Sequence, residues 1–234
     1  MKKRFSIITI LILSLFLVGC GTVKLNSFTN INKDGSGDFK FQVLYDNVVA
    51  RLLGRDFINV DEMKKLGFET SKYVKDNNNV EEVSIKFNNL NDVNKLLADK
   101  KYATLSVNEA KGVTENQVTI NLSVNSSLVD DAINQTGGSS AYDATLINYV
   151  KNVEITNQIT VPGRIVSSNA TDKSGDYTAI WKYKLGQIDQ NTKITLTYTT
   201  DGIVKKNYIL PITIVVILSI AIIAAIIYKR KIAK

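Results

Sequence analysis

Val23-Lys24-Leu25-Asn26-Ser27-Phe28-Thr29-Asn30-Ile31, then Asp34-Gly35-Ser36-Gly37, then Asp38-Phe39-Lys40-Phe41-Gln42-Val43-Leu44-Tyr45 is the stretch on which the fold turns. Phe39, Phe41, Val43 and Tyr45 alternate with polar or smaller residues, so they share one face of a strand. The Asp-Gly-Ser-Gly cluster is turn chemistry and folds this strand back on Val23–Ile31 as a hairpin.

The same period of two recurs downstream. Val83, Ile85 and Phe87 alternate with Glu82, Ser84 and Lys86. Ala103, Leu105 and Val107 form a second hairpin with Val118, Ile120, Leu122 and Val124, turning at Gly112. Val153, Ile155, Ile159 and Val161 make a strand stopped by Pro162-Gly163. Ala179, Trp181, Tyr183 and Leu185 line another face, and Ile194, Leu196 and Tyr198 the last. Helical spacing is confined to short pieces. These are 46–53, a segment capped by Asn59 with Val60, Met63 and Leu66 on one side, a segment capped by Asn91, a weak one at 127–134, and one through Tyr142, Leu146, Tyr149 and Val150. Strands without regular βαβ alternation predict an α+β fold. Its antiparallel sheet carries short helices packed on one face, and one C-terminal transmembrane helix follows.

The ends of the chain read differently. Lys2, Lys3 and Arg4 precede an apolar run from Phe5 to Val18, which ends in Leu17-Val18-Gly19-Cys20. This is a secretory signal whose cleavage point coincides with a thiol, the acceptor that a bacterial lipid transferase requires. Cys20 is the expected lipid-attachment residue. Acyl chains such as palmitate on its sulfur contribute about 0.8 kcal/mol of membrane affinity per buried methylene. At the other end Ile209–Ile227 is apolar except for Pro211, Thr213 and Ser219, and is bracketed by Tyr208 and Tyr228. At ~1.5 Å per residue it matches a hydrocarbon layer of ~30 Å. Four cations follow it (Lys229, Arg230, Lys231, Lys234) against two before it (Lys205, Lys206), which places the tail in the cytoplasm. The expected organisation is a lipoprotein signal peptide over 1–19, an extracytoplasmic domain over 20–207, a membrane span over 208–228 and a basic tail over 229–234.

The chain has 234 residues and a net charge of +7, from 29 basic and 22 acidic side chains. Nine of the basic residues belong to the leader or flank the apolar tail. The twenty left face twenty-two acidic ones, a net −2, so no basic footprint for a nucleic acid is present. Cys20 is the single cysteine and there is no histidine. Disulfides within the chain, Cys/His zinc sites and nucleophile–histidine pairs are thereby excluded. No cofactor or metal is expected.

From the lipidation motif through Gly35-Ser36-Gly37, and again from Val161-Pro162-Gly163-Arg164-Ile165-Val166-Ser167-Ser168-Asn169-Ala170 to Trp181, the chain resembles the LppM-type bacterial lipoproteins. Ile165 stands where that family often has valine. The likeness runs over residues 17–200, and the terminal helix and short basic tail also occur in many members. It implies an envelope lipoprotein with an α+β domain, a link to glycolipid binding and to host-cell interaction, and no ligand-binding motif that maps residue by residue.

Few residues invite chemistry. Pro162-Gly163 reads as a strand-ending turn, with glycine in a conformation that other residues avoid, rather than a ligand loop. Trp181 reads as core rather than as a stacking platform. Glu81 and Glu82 are neighbours on a strand and point to opposite faces, so they cannot act as an acid–base pair. Asp130 and Asp131 read as solvated. Asn125-Ser126-Ser127 and Asn169-Ala170-Thr171 match glycosylation sequons by composition only. The expected function is a non-catalytic surface lipoprotein whose domain binds a lipid, glycolipid or other amphiphilic envelope component between sheet and helices. The alternatives are a module docking a membrane-protein partner, with Ser219, Ala221, Ala224 and Ala225 allowing close helix approach, and an envelope enzyme. Replacing Cys20 with alanine is expected to abolish fatty-acid labelling and leave the leader uncleaved, as radiolabelled acyl incorporation and the mass of the mature chain will show.

Overall fold

A computed structural model describes residues 22–53, 56–65, 67–88, 103–112, 115–124, 148, 151–189 and 191–201. The elements are β1 (Val23–Ile31), β2 (Gly37–Tyr45), α1 (Asn47–Leu53), α2 (Val60–Lys65), β3 (Glu69–Lys75), β4 (Asn78–Phe87), β5 (Ala103–Ala110), β6 (Glu115–Val124), β7 (Glu154–Thr160), β8 (Ile165–Ser168), β9 (Asp172–Ser174), β10 (Thr178–Lys184), a 3₁₀ turn (Leu185–Gln187) and β11 (Lys193–Asp201).

Both expected hairpins form. β1 and β2 pair antiparallel along their whole length, from Val23 opposite Tyr45 to Ile31 opposite Gly37. Gly35 takes φ 81° in the turn, a value that side-chain-bearing residues resist. β5 pairs antiparallel with β6. α1 starts where Asp46 Oδ1 accepts the amides of Val48 (2.9 Å) and Val49 (3.0 Å), an acidic N-cap. Asp46 Oδ2 also takes the Thr22 amide at 2.6 Å, fastening the chain just before β1. α2 ends at Gly67 (φ 85°), where Phe68 N bonds Met63 O (3.0 Å) and Gly67 N bonds Lys64 O (3.0 Å).

The α+β expectation is overturned: the architecture is two sheets. A seven-stranded sheet has the order β3-β4-β2-β1-β7-β10-β9, and a four-stranded sheet the order β5-β6-β11-β8. The larger sheet is not purely antiparallel, because β7 joins β1 in parallel register, Lys24 opposite Glu154 through Asn30 opposite Thr160. The physical reason lies in coverage. Seven strands at about 4.8 Å spacing present a face near 30 Å wide, while a seven-residue helix is only about 10 Å long. Helices that short cannot cover such a face. The apolar faces of β6 (Val118, Ile120, Leu122) and β11 (Ile194, Leu196, Tyr198) do so, and both sheets share one buried cluster. Val49 of α1 and Met63 of α2 join that cluster as supplements. Leu185 is buried in the 3₁₀ turn rather than on the face of β10.

Three expected helices, those capped by Asn91, over 127–134 and through Tyr142–Val150, lie outside the described residues apart from residue 148. So do Cys20, the signal 1–19, the span expected over 208–228 and the tail 229–234. Among the described residues no helix is long and apolar enough to cross a membrane.

The chain changes sheets twice between β7 and β10, and one side chain holds the crossings together. Asn169 follows β8. Its Oδ1 accepts the indole N–H of Trp181 (2.9 Å) from the larger sheet and the Thr195 amide (2.8 Å) from the smaller one, while its Nδ2 donates to Lys193 O at 2.7 Å. Trp181 is fully buried, so its N–H has to be satisfied internally. At the first crossing Gly163 lies so close to β11 that a Cβ on it would sit 1.5 Å from Thr199 O. Its φ is not in the left-handed region, so glycine is required there for space and not for backbone conformation. Asn169→Ala is expected to destabilise the domain by about 2–4 kcal/mol, since a buried indole donor and a backbone donor lose their acceptor. Urea denaturation followed by Trp181 fluorescence measures it.

Candidate functional site

Most of the residues within the domain that drew attention in the sequence are described. Pro162-Gly163, Asn169 and Trp181 form the structural joint just described. Glu81 and Glu82 do point apart. Glu82 lies on the outer face of the larger sheet, where it accepts from Gln42 Nε2 (2.7 Å) and Tyr73 OH (3.0 Å) and faces Lys40 at 3.5 Å. Glu81 lies on the core face and is 3 % exposed. Asp130, Asp131 and the Asn125 sequon are outside the described residues.

Glu81 shares the odd-numbered face of β4 with Val83 and Phe87, so the alternation carries it into the core, but the sequence did not show what would stabilise it there. Its environment explains it. Oε1 accepts from Tyr45 OH at 2.5 Å and Phe57 N at 3.1 Å, and Oε2 accepts from Ile58 N at 2.7 Å. Three donors meet one carboxylate, so the charge is solvated by the protein itself. The effect is to fasten the 56–59 link between α1 and α2 onto β4. Burial, then the hydrogen bond to Glu81, push the Tyr45 hydroxyl well above the ordinary tyrosine range. A cleft of about 180 Å³ opens beside this cluster, lined by Asp56, Ile58, Val60, Thr70, Lys72 and Glu81 among others. Its two exposed charges are paired with each other, Lys72 with Asp56. That contact raises the lysine's affinity for its proton. Every acid in the cleft is thereby occupied, and among the described residues no group of three metal-ligating side chains converges.

A second polar cluster lies deeper. Ser27 and Thr29 of β1 share its odd-numbered face with Leu25 and Ile31, so both face the core between the two sheets. Asn157 of β7 stands opposite Ser27 in register, and Trp181 of β10 stands opposite Asn157. The row across the sheet therefore runs Phe41, Ser27, Asn157, Trp181. Ser27, Thr29 and Asn157 are each 1 % exposed. Ser27 Oγ donates to Asn157 Oδ1 at 3.1 Å. Thr29 Oγ1 and Asn157 Nδ2 have no hydrogen-bond partner. One acceptor or donor left unmade in such a place costs about 1–3 kcal/mol. Among the described residues the one other buried side-chain atom without a partner is Thr200 Oγ1 of β11. The alternation of β1 places Ser27 and Thr29 on its inner face, but nothing local told that face from the outer one, which carries Phe28.

No protein-family model matches the chain, and no characterised protein matches it in sequence. Among solved structures the chain is similar to the folded domain of Mycobacterium tuberculosis LppM, determined by NMR. The two are 11 % identical, the alignment covers 77 % of this chain and 91 % of that one, and the TM-score is 0.42.

Because the Tyr45 hydroxyl is held protonated, the stability it contributes is complete below the ordinary tyrosine pKa of about 10 and is lost as pH rises past it. Tyr45→Phe is expected to lower stability at neutral pH by about 1.5–3 kcal/mol, the worth of a hydrogen bond to a charged acceptor. The gap to the native chain should narrow above pH ~10, as urea midpoints collected across that range will show.

Proposed function

We propose that this chain is a non-catalytic, membrane-held binding module that takes the polar end of an amphiphilic envelope component between its two sheets, at Ser27, Thr29 and Asn157. The observation that carries this reading is that Thr29 Oγ1 and Asn157 Nδ2, two of the three buried side-chain atoms left without a partner among the described residues (the third is Thr200 Oγ1 of β11), face the interior between the sheets. A guest offering hydroxyl, amide or ester oxygens satisfies both, while Phe39, Phe41, Ile159 and Trp181 around them suit an apolar body. Attachment to the membrane rests on the sequence: Cys20 for acylation and the apolar run 209–227 with its flanking charges for the bilayer. Catalysis finds little support, since Glu81 is committed to three donors and Glu82 lies on the other face.

The experiment is native mass spectrometry of residues 21–207 purified from a bacterial host, which contain every described strand. Bound amphiphile is expected on the native sequence. It should be lost in the double variant Thr29→Val with Asn157→Leu, which keeps shape and removes both polar groups. A native protein carrying nothing, joined by a double variant that is more stable, would mean the patch holds only water and would end this reading.

A second reading, docking of a membrane-protein partner, draws on β3. This edge of the larger sheet presents Tyr73 and Val74, the latter 71 % exposed. A protein captured reproducibly by crosslinking in intact cells through position 74 would favour it over the first.

A further inference from the structure

We infer that the domain lies on its side on the bilayer, with its strands along the membrane plane and the outer face of the seven-stranded sheet against the lipid headgroups. This rests on the membrane attachment proposed above at both ends of the chain.

The two ends of the folded core leave from opposite ends of the strands. Val23 begins β1 opposite Tyr45, and Thr22 before it is held by Asp46. Ile31 ends β1, and β7 runs parallel to it, with Thr160 opposite Asn30. Just past Thr160, Gly163 abuts Thr199 O and Arg164 O accepts the Thr199 amide at 2.9 Å. β11 therefore finishes at the Ile31 end, the far end from Val23. Eight residue steps of about 3.3 Å put the two exits roughly 26 Å apart along the strands.

The connections to the membrane are short and unequal. Whatever their conformation, the three residue steps from Cys20 to Val23 reach at most about 10 Å, and the seven from Asp201 to Tyr208 at most about 25 Å. Standing on the Ile31 end is impossible, because Cys20 would hang ~26 Å above its acyl chains on a ~10 Å tether. Standing on the Val23 end would require the C-terminal link to be drawn fully straight over the whole height of the domain. With the strands lying flat, both links are relaxed.

The inequality also selects the face. The shorter tether feeds β1, a central strand of the seven-stranded sheet, and the longer one leaves β11 in the other sheet. Packed sheets are about 10 Å apart, so the smaller sheet beneath would lift Thr22 to the limit of the Cys20 tether or beyond. The larger sheet beneath leaves ample length for 202–207. Its outward side chains suit the place. Phe28, Leu44 and Ile180 stand half-buried among Lys24, Lys40 and Lys182. Each of these lysines is paired with an acid of the same face, Glu154, Glu82 and Asp172, so the face carries little net charge and the lysine stems extend its apolar surface.

The test uses the full chain, purified from membranes with acylated Cys20 verified by mass, so that an introduced cysteine is the single free thiol. Nitroxides are placed singly through Lys33→Cys at the Ile31 end, Lys75→Cys at the Val23 end, and Gln117→Cys on the outer face of the smaller sheet. The chain is reconstituted in vesicles of phosphatidylglycerol and phosphatidylcholine bearing a headgroup-chelated gadolinium ion. Relaxation enhancement at positions 33 and 75 is expected to agree within about twofold, with position 117 clearly weaker, as the ~10 Å sheet separation requires. A difference above about tenfold between 33 and 75 means the domain stands on end and overturns the inference; so does the strongest effect at 117. In those cases the two attachments remain intact. A chain with free Cys20 thiol, or one washed from vesicles by carbonate, overturns the membrane attachment itself and this inference with it.

Discussion

An amide side chain at a crossing point holds this fold in one arrangement. Asn169 satisfies a buried indole from one sheet and a backbone donor from the other with the same oxygen. Hydrophobic burial draws the two sheets together, but it is indifferent to small sliding motions. Directional bonds are not. With Gly163 admitting the first crossing to within contact of β11, the joint sets how β7 and β10 of one layer meet β8 and β11 of the other. Trp181 fills the interior only because its one polar atom finds a partner there.

Two buried polar clusters behave in opposite ways. Glu81 brings a full charge into the core and is satisfied by Tyr45 and two backbone amides. It serves as a rivet for the α1–α2 link. Ser27, Thr29 and Asn157 are neutral but incompletely satisfied, Ser27 and Asn157 in a row bounded by Phe41 and Trp181 and Thr29 in the next row between Phe39 and Ile159. A low-dielectric interior rewards the first arrangement and penalises the second. The proposed ligand position follows from that contrast, since a core built for stability alone has no use for the second cluster.

The inferred orientation rests on connectivity rather than on surface charge. The outer face of the larger sheet pairs its ions with one another, Lys24 with Glu154, Lys40 with Glu82 and Lys182 with Asp172, so no strong field points the domain toward a charged surface. The parallel joint between β1 and β7 is what sends the two ends of the core to opposite poles.

Local order was legible in the chain. Alternation and turn residues found eight of the eleven described strands but not β3, β8 or β9, Asp34–Gly37 found the first turn, and Asn59 and Gly67 found the limits of α2, because each depends on residues close together in sequence. The absence of histidine and the single cysteine bounded the chemistry before any coordinates. Partnership was not legible. Period-two patterning is the same whether a strand's apolar face meets helices or another sheet, which is why the covering layer was misassigned to helices. The β1–β7 pairing joins residues more than a hundred positions apart and leaves no local mark. The sequence put Glu81 and Glu82 on opposite faces but did not show the donors Tyr45, Phe57 and Ile58 around Glu81, and nothing local set Thr29 and Asn157 apart from other polar strand residues before the second sheet closed over them. Residue order determined the elements and the tethers; long-range packing alone decided which faces became the inside, because burial is a property of the neighbours that arrive and not of the residue itself.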